Sequence, residues 1–139
     1  MKIVLYTNVL VSGLLQPLGP SGQIVRLVAA GELILCHDPR VLTEYSEVLR
    51  REKFGFDRDR VETLMEQIRS GGIPVAARPL PIRLADPDDE PFLEIALGGD
   101  ARCLVTGNLK HYPATARLGV EVLAPRAFIE LYRKTGAGQ

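Results

Sequence analysis

Residues 84–112 read LADPDDEPFLEIALGGDARCLVTGNLKHY, and this stretch decides the fold. It opens with three acids in four residues, Asp86, Asp88 and Asp89. A short apolar helix is expected next, capped by Asp89, with Pro91 in its first turn and Gly98-Gly99 at its end. Asp89, Phe92, Leu93 and Ala96 fall on one face of it. Arg102 to Thr106 (RCLVT) then reads as a buried strand. The stretch closes on a polar loop with Asn108 and His111. Parallel strands of an α/β fold deliver their C-terminal loops to one edge of the sheet. The acids and the polar loop are therefore expected together at that edge.

The same alternation extends in both directions. Lys2 to Tyr6 (KIVLY) is an apolar run suited to a strand buried on both faces. Val9 to Leu15 is a short helix stopped by Pro17, and Ser21 is the expected cap of a helix running to about Gly31. The QIVRLVAA segment of that helix is apolar nearly all round, so it needs cover on more than one side. Glu32 to Cys36 (ELILC) is the second strand. Asp38-Pro39 is a helix start, a capping acid before proline at the first helical position. That helix is expected to reach about Lys53, with Val41, Leu42, Tyr45, Val48 and Leu49 as its apolar stripe. Glu44 borders the stripe and Glu47 lies nearly opposite it.

Asp57 caps a further amphipathic helix with Val61, Leu64, Met65 and Ile68 inward, ending at Gly71-Gly72. Ile73 to Ala76 is a weak third strand, and Arg78 to Leu84, with two prolines, is an extended connection. Val120 to Leu123 is the last strand, and Pro125 starts a C-terminal helix. The expected architecture is α/β, a central, mainly parallel sheet with helices on both faces. One domain over residues 1–135 and a frayed tail over 136–139 are expected.

Composition sets the outer bounds. The chain has 139 residues, 46% hydrophobic and 24% charged, which is enough for one packed core. Net charge is zero, so no bulk positive field points to nucleic acid, and none of its apolar runs reaches membrane-spanning length. The opening MKIVLY is too short for a signal-peptide core, so a cytoplasmic location is the expectation. Cys36 and Cys103 both fall in predicted strands, where free core thiols are expected.

Several residues offer chemistry. Asp86-Pro87 fits a turn and Asp89 a cap, and this plain use competes with a functional one. In the functional use, one or two of these carboxylates face a strand-end cleft beside Glu44. Crowded carboxylates raise one another's pKa unless a cation is present. Oxygen-only ligands suit Mg²⁺ or Mn²⁺, and such a cation can activate water and neutralise charge on a phosphodiester. Thr106 and Asn108 follow a strand in the place where ligands approach α/β sheets. Thr7, Asn8 and Ser12 follow the first strand in the same way and are candidates for orienting a ligand or water.

Taken in order, these pieces resemble the PIN-domain family, in particular small bacterial proteins described as toxin components of toxin–antitoxin pairs. The opening is Leu5, Tyr6, Thr7, Asn8, Val9, Leu10, similar to a strand followed by Asp-Thr-Asn. Glu44 in VLTEYSEVLRR matches the family's helical glutamate, Asp89 in DPDDEPFLEIAL its helix-initial aspartate, and LVTGN at Leu104 to Asn108 its closing strand and loop. The resemblance implies a three-layer α/β/α sandwich, a Mg²⁺ or Mn²⁺ site and cleavage of single-stranded RNA. It implies a cognate antitoxin and a homodimer as partners. Carried over, the metal positions are Glu44, Asp89 and Asn108, with Asp86 as helper and Thr106 as a supporting hydroxyl.

Two positions depart from the pattern. Asn108 stands where many members have aspartate. Tyr6 stands at the first acidic position, and a bulky phenol of pKa near ~10 replaces an ionised carboxylate there. Impaired activity is the expectation. The competing reading is a noncatalytic module of the same fold that binds antitoxin or RNA. A phosphoacceptor domain would need an aspartate after a central strand, and the segment after Ile73 to Ala76 offers none.

Overall fold

A computed structural model describes residues 1–136; the rest of the expected tail, 137–139, lies outside the described residues. The elements in chain order are β1 (Lys2–Leu5), α1 (Thr7–Leu15), α2 (Pro20–Ala29), β2 (Ile34–His37), α3 (Pro39–Leu49), α4 (Arg58–Gly71) and β3 (Ile73–Pro74). They continue with α5 (Glu90–Gly98), β4 (Leu104–Val105), β5 (Val122–Leu123) and α6 (Pro125–Lys134). The described strands form one all-parallel sheet in the order β3-β2-β1-β4-β5. Among the described residues six α-helices flank it, as the α/β reading requires.

β1 is the centre of the sheet. Lys2 pairs with Ile34 of β2, and Val4 with Leu104 of β4. Ile3, Val4 and Leu5 are fully buried, which is why KIVL reads as a continuous apolar run without alternation. The strand order reverses here, with β2 and β3 to one side and β4 and β5 to the other. Such a switch point opens a crevice at the C-terminal ends of the two diverging strands. The chain leaves β1 at Tyr6 and β4 at Thr106, and the Tyr6 N–H donates to the Val105 carbonyl at 2.9 Å. Those two loops are therefore neighbours by construction.

Right-handed crossovers place α1 to α4 over one face and α5 over the other. The packing agrees, since α5 lies on β1, β2 and β4, while α2 packs on α1, α4 and α6. The cover that the apolar α2 needs is thus supplied within this chain. Val41, Tyr45 and Leu49 of α3 and Val61, Leu64, Met65 and Ile68 of α4 are buried, as their spacing predicts, and Leu42 and Val48 are half-buried. Cys36 and Cys103 are buried free thiols, and burial pushes Cys103 up to about 12.

Three local expectations differ. Ser21 does not cap α2, which starts at Pro20 after an uncapped Gly19; proline at the first helical position fixes the start two residues earlier. α3 stops at Leu49 rather than Lys53, because the chain turns through a short 3₁₀ segment over Glu52–Phe54. Asp38 does cap α3, its carboxylate accepting from the Val41 N–H at 3.1 Å. Asp89, the third case, gives its side chain to no helix cap. Asp86 instead accepts from the Asp88 N–H at 2.9 Å and closes a 3₁₀ turn over Pro87–Asp89, which frees the Asp89 carboxylate to point elsewhere.

Candidate active site at the strand ends

Asp89 points into the crevice. It is only 2% exposed, and its Oδ1 accepts the Tyr6 hydroxyl at 2.6 Å. The Tyr6 proton being committed to Asp89, His111 meets the same phenol oxygen through Nδ1 at 3.1 Å, with Asp89 Oδ2 at 3.6 Å. In the Nδ1–H tautomer His111 donates to the phenol oxygen, and Asp89 Oδ2 lies beyond hydrogen-bond distance. Tyr112 closes the group from beneath, its hydroxyl donating to the Asp89 carbonyl at 2.8 Å. The Tyr6 ring lies 5.0 Å from Phe92, 5.4 Å from His111 and 6.0 Å from Tyr112, the last two edge-on. Four aromatic rings thus fill the space around one carboxylate.

The electrostatics follow from this packing. Burial, the Asp89 hydrogen bond and the charges of Asp89, Glu44 and Asp86 all push the Tyr6 phenol far above its ordinary range. Burial likewise raises Asp89, and Asp86 and Asp88 add to the rise; the Tyr6 hydrogen bond and His111 oppose it. Tyr6 therefore remains a neutral donor at every working pH.

Glu44 arrives from α3, half-buried, and accepts the Thr7 hydroxyl from the first turn of α1. Tyr45, next on the same helix, donates to the Leu5 carbonyl at 2.6 Å and fixes α3 against the end of β1. Asn8 bridges the two loops, its Oδ1 accepting the Gly107 N–H at 3.2 Å. Thr106 is fully buried and its hydroxyl accepts the Asn108 N–H at 3.1 Å. A hollow of about 270 Å³ opens beside Glu44, walled by Arg40, Asp88, Pro91 and Phe92.

The expected residues thus divide. Tyr6, Thr7, Asn8, Glu44, Asp89 and Thr106 meet at the edge or hold its two loops. Asn108 is held there by its backbone, but its side chain is exposed and accepts the Lys110 N–H at 3.1 Å, so it serves its own turn. Asp86 is exposed and spent on the Asp88 cap. Ser12 lies exposed on α1, out of contact with the group.

Sequence reasoning left out Tyr112, Glu90 and Glu94, and placed His111 in the polar loop without a role. Tyr112 ends the same loop as Asn108 and His111, and that continuity was the available signal. Glu90 and Glu94 are the other omission. They are buried, and they accept the N–H groups of Leu84 at 2.9 Å and Leu80 at 3.3 Å. Arg40 pairs with both Asp38 and Glu94 at 2.7 Å. Together these hold the proline-containing connection against α5 just before it delivers Asp86–Asp89. Two glutamates four apart inside an apolar helix are the sequence signal for such buried anchors.

Among the described residues, no three His, Cys, Asp or Glu side chains come together as a group that could hold a metal ion. Hard divalent cations take a shell of oxygens, at least one or two of them carboxylate. Here one Asp89 oxygen is occupied by a hydroxyl proton and a phenol ring stands beside it. As the side chains stand, they do not fit such a cation.

An α/β/α domain with a carboxylate-bearing crevice at the switch point of a parallel sheet is the class that fold and site define. Residues 2–110 match the family pattern described as PIN domain, and the chain belongs to the PIN-domain family. This is a nuclease-type fold. No curated protein matches the chain.

Proposed function

We propose that this chain carries the scaffold of a Mg²⁺- or Mn²⁺-dependent endoribonuclease, the toxin of a toxin–antitoxin pair, with its cation position closed by Tyr6. The observation that carries this reading is the 2.6 Å hydrogen bond from the Tyr6 hydroxyl to the buried carboxylate of Asp89. A phenol at the end of β1 takes the place that a third carboxylate beside Glu44 and Asp89 would share with a cation. Asn108 and Asp86 complete the oxygen set only if their side chains leave their present turns. With Tyr6 in place, activity is therefore impaired.

The remaining parts of the reading are a single domain over residues 1–135, single-stranded RNA as substrate, a cognate antitoxin, a homodimer and a cytoplasmic location. For solubility, the support is that no described helix is long and apolar enough to cross a membrane. For the homodimer, α2 no longer argues, because its cover comes from within the chain. Leu15 and Leu18 at the α1–α2 turn, 53% and 92% exposed, argue in its place.

A second reading is a noncatalytic module of the same fold that binds antitoxin or RNA. The lack of a three-group metal cluster among the described residues favours it. One assay separates the two. Single-stranded RNA is incubated with the chain and with Tyr6→Asp, each with and without Mg²⁺ or Mn²⁺, and with Tyr6→Asp carrying Asp89→Ala as a third protein. The first reading expects metal-dependent cleavage by Tyr6→Asp alone. Cleavage by none of the three supports the module.

A further inference from the structure

We infer that the turn between α3 and α4 is a docking subsite for one nucleotide of single-stranded nucleic acid, separate from the strand-end crevice. The choice of a polynucleotide rests on the ribonuclease reading; the site itself rests on the observations that follow.

The segment Arg50 to Arg60 reads RREKFGFDRDR, with five cations and three acids. Arg50 is committed, hydrogen-bonded to Ser46 and paired with Glu62. Arg51 and Arg58 are exposed, and among the described residues neither guanidinium has a hydrogen bond or ion pair. They line a hollow of about 320 Å³ together with Arg50, Glu52, Gly55 and Phe56, so one carboxylate stands among three guanidiniums, and the hollow is at the small end of ligand-site sizes. Unpaired guanidiniums around a concavity are the geometry that recognises phosphate.

The second observation is aromatic. Phe54 and Phe56 stack with centroids 5.4 Å apart and planes 13° apart. Gly55 between them has φ +62, in the left-handed region, and this reversal brings the two rings together. Phe56 packs against the core, whereas Phe54 is half-buried outside it. The ammonium of Lys53 covers the Phe54 ring at 5.1 Å. A base stacking there extends the Phe54–Phe56 stack and releases Lys53, the third cation, towards the same phosphate. Stacking surface beside a cationic groove is how single strands are held without sequence preference.

The place in the fold suits this role. α4 leads directly to the start of β3, so its own start faces the edge where the strands end. Leu49, beside the hollow, lies five residues beyond Glu44 on α3, a rise of about 8 Å. A strand lying along α3 would reach both.

The test is fluorescence anisotropy with a labelled ten-nucleotide oligouridylate in metal-free buffer, so that cleavage plays no part. The same measurement is made with single-stranded DNA, duplex RNA and, as competitor, polyglutamate. Arg51→Glu with Arg58→Glu is expected to weaken single-strand binding about ten-fold or more and to flatten its salt dependence by about 0.7 log units per log unit of salt, as for one phosphate. Arg51→Gln with Arg58→Gln should do the same to a lesser degree. Phe54→Ala should cost about five-fold or more for single strands and little for duplex. Reversal of exposed Arg133 and Lys134 on α6 carries the same charge change and should leave binding near its starting value.

RNA and DNA single strands binding alike places recognition in phosphate and base, whereas a clear RNA preference adds the ribose hydroxyl. The inference is overturned if the starting chain binds no single strand, if the α6 reversal costs as much, or if polyglutamate competes as well as RNA. If Tyr6→Asp cleaves RNA and the turn variants bind normally, the ribonuclease reading stands and this one falls. If the turn variants lose binding and Tyr6→Asp cleaves nothing, the reverse holds.

Discussion

The strand-end crevice and the α3–α4 turn handle their polar groups in opposite ways. In the crevice, the polar side chains of the central group are partnered inside the chain: Tyr6 on Asp89, His111 on Tyr6, Tyr112 on the Asp89 carbonyl. At the turn, Arg51 and Arg58 are exposed without partners and Phe54 lies outside the core. A satisfied buried network contributes to stability, and breaking it leaves an uncompensated charge. An exposed unpaired cation contributes little to stability and is free for a ligand. The comparison teaches that this chain has spent its expected catalytic edge on its own fold, while a second surface remains open.

The largest effect should come from breaking the closed group. Tyr6→Phe removes the donor to Asp89 and should cost about 1.5–3 kcal/mol near neutral pH, as for a lost hydrogen bond to a charged group. The sign with pH follows from Asp89. Its folded pKa lies above the ordinary carboxylate value, so the fold favours its protonated form. Its contribution is fully present below the unfolded pKa and is lost as pH rises through the folded one. Removing the Tyr6 donor raises the folded pKa further. The deficit of Tyr6→Phe should therefore be greatest at neutral pH and shrink as pH falls below the folded pKa, measured by urea denaturation at a series of pH values. A deficit independent of pH would show that Asp89 is not held as an ion by Tyr6.

Next in size is the anchor of the connection before Asp86. Glu94→Ala leaves Arg40 with Asp38 alone and the buried Leu80 N–H without its acceptor, and should cost about 1–3 kcal/mol. The smallest effect is at the turn. Arg51→Glu with Arg58→Glu should change stability by no more than about 0.5 kcal/mol per substitution, as for surface positions away from structural contacts. Thermal melts that move as much for the turn pair as for Tyr6→Phe would erase the comparison.

Much of the fold was legible in the sequence because its signals are local. KIVL, ILC and LV are apolar without alternation, as central parallel strands must be, and Asp38-Pro39 starts α3 with both capping chemistry and fixed φ. The errors arose where two local solutions compete. Asp86 and Asp89 are both plausible caps, and only the 3₁₀ turn over Pro87–Asp89 decides that Asp86 caps and Asp89 does not. The convergence of Tyr6 with Asp89 followed from strand-end logic. The His111 and Tyr112 contacts did not, because they depend on how a loop with two 3₁₀ turns folds back on itself. Asn108 illustrates the same limit, since its residue type fits a ligand and a turn equally well, and its side chain forms the turn.

The most direct test of the central claim is a calorimetric titration of Mn²⁺ into the chain as given and into Tyr6→Asp, in the absence of RNA. Tyr6→Asp removes the ring beside Asp89 and returns a third carboxylate near Glu44. No resolvable binding is expected with Tyr6 in place, and saturable binding to Tyr6→Asp that Asp89→Ala abolishes. Tight, Asp89-dependent Mn²⁺ binding with Tyr6 still in place would contradict it.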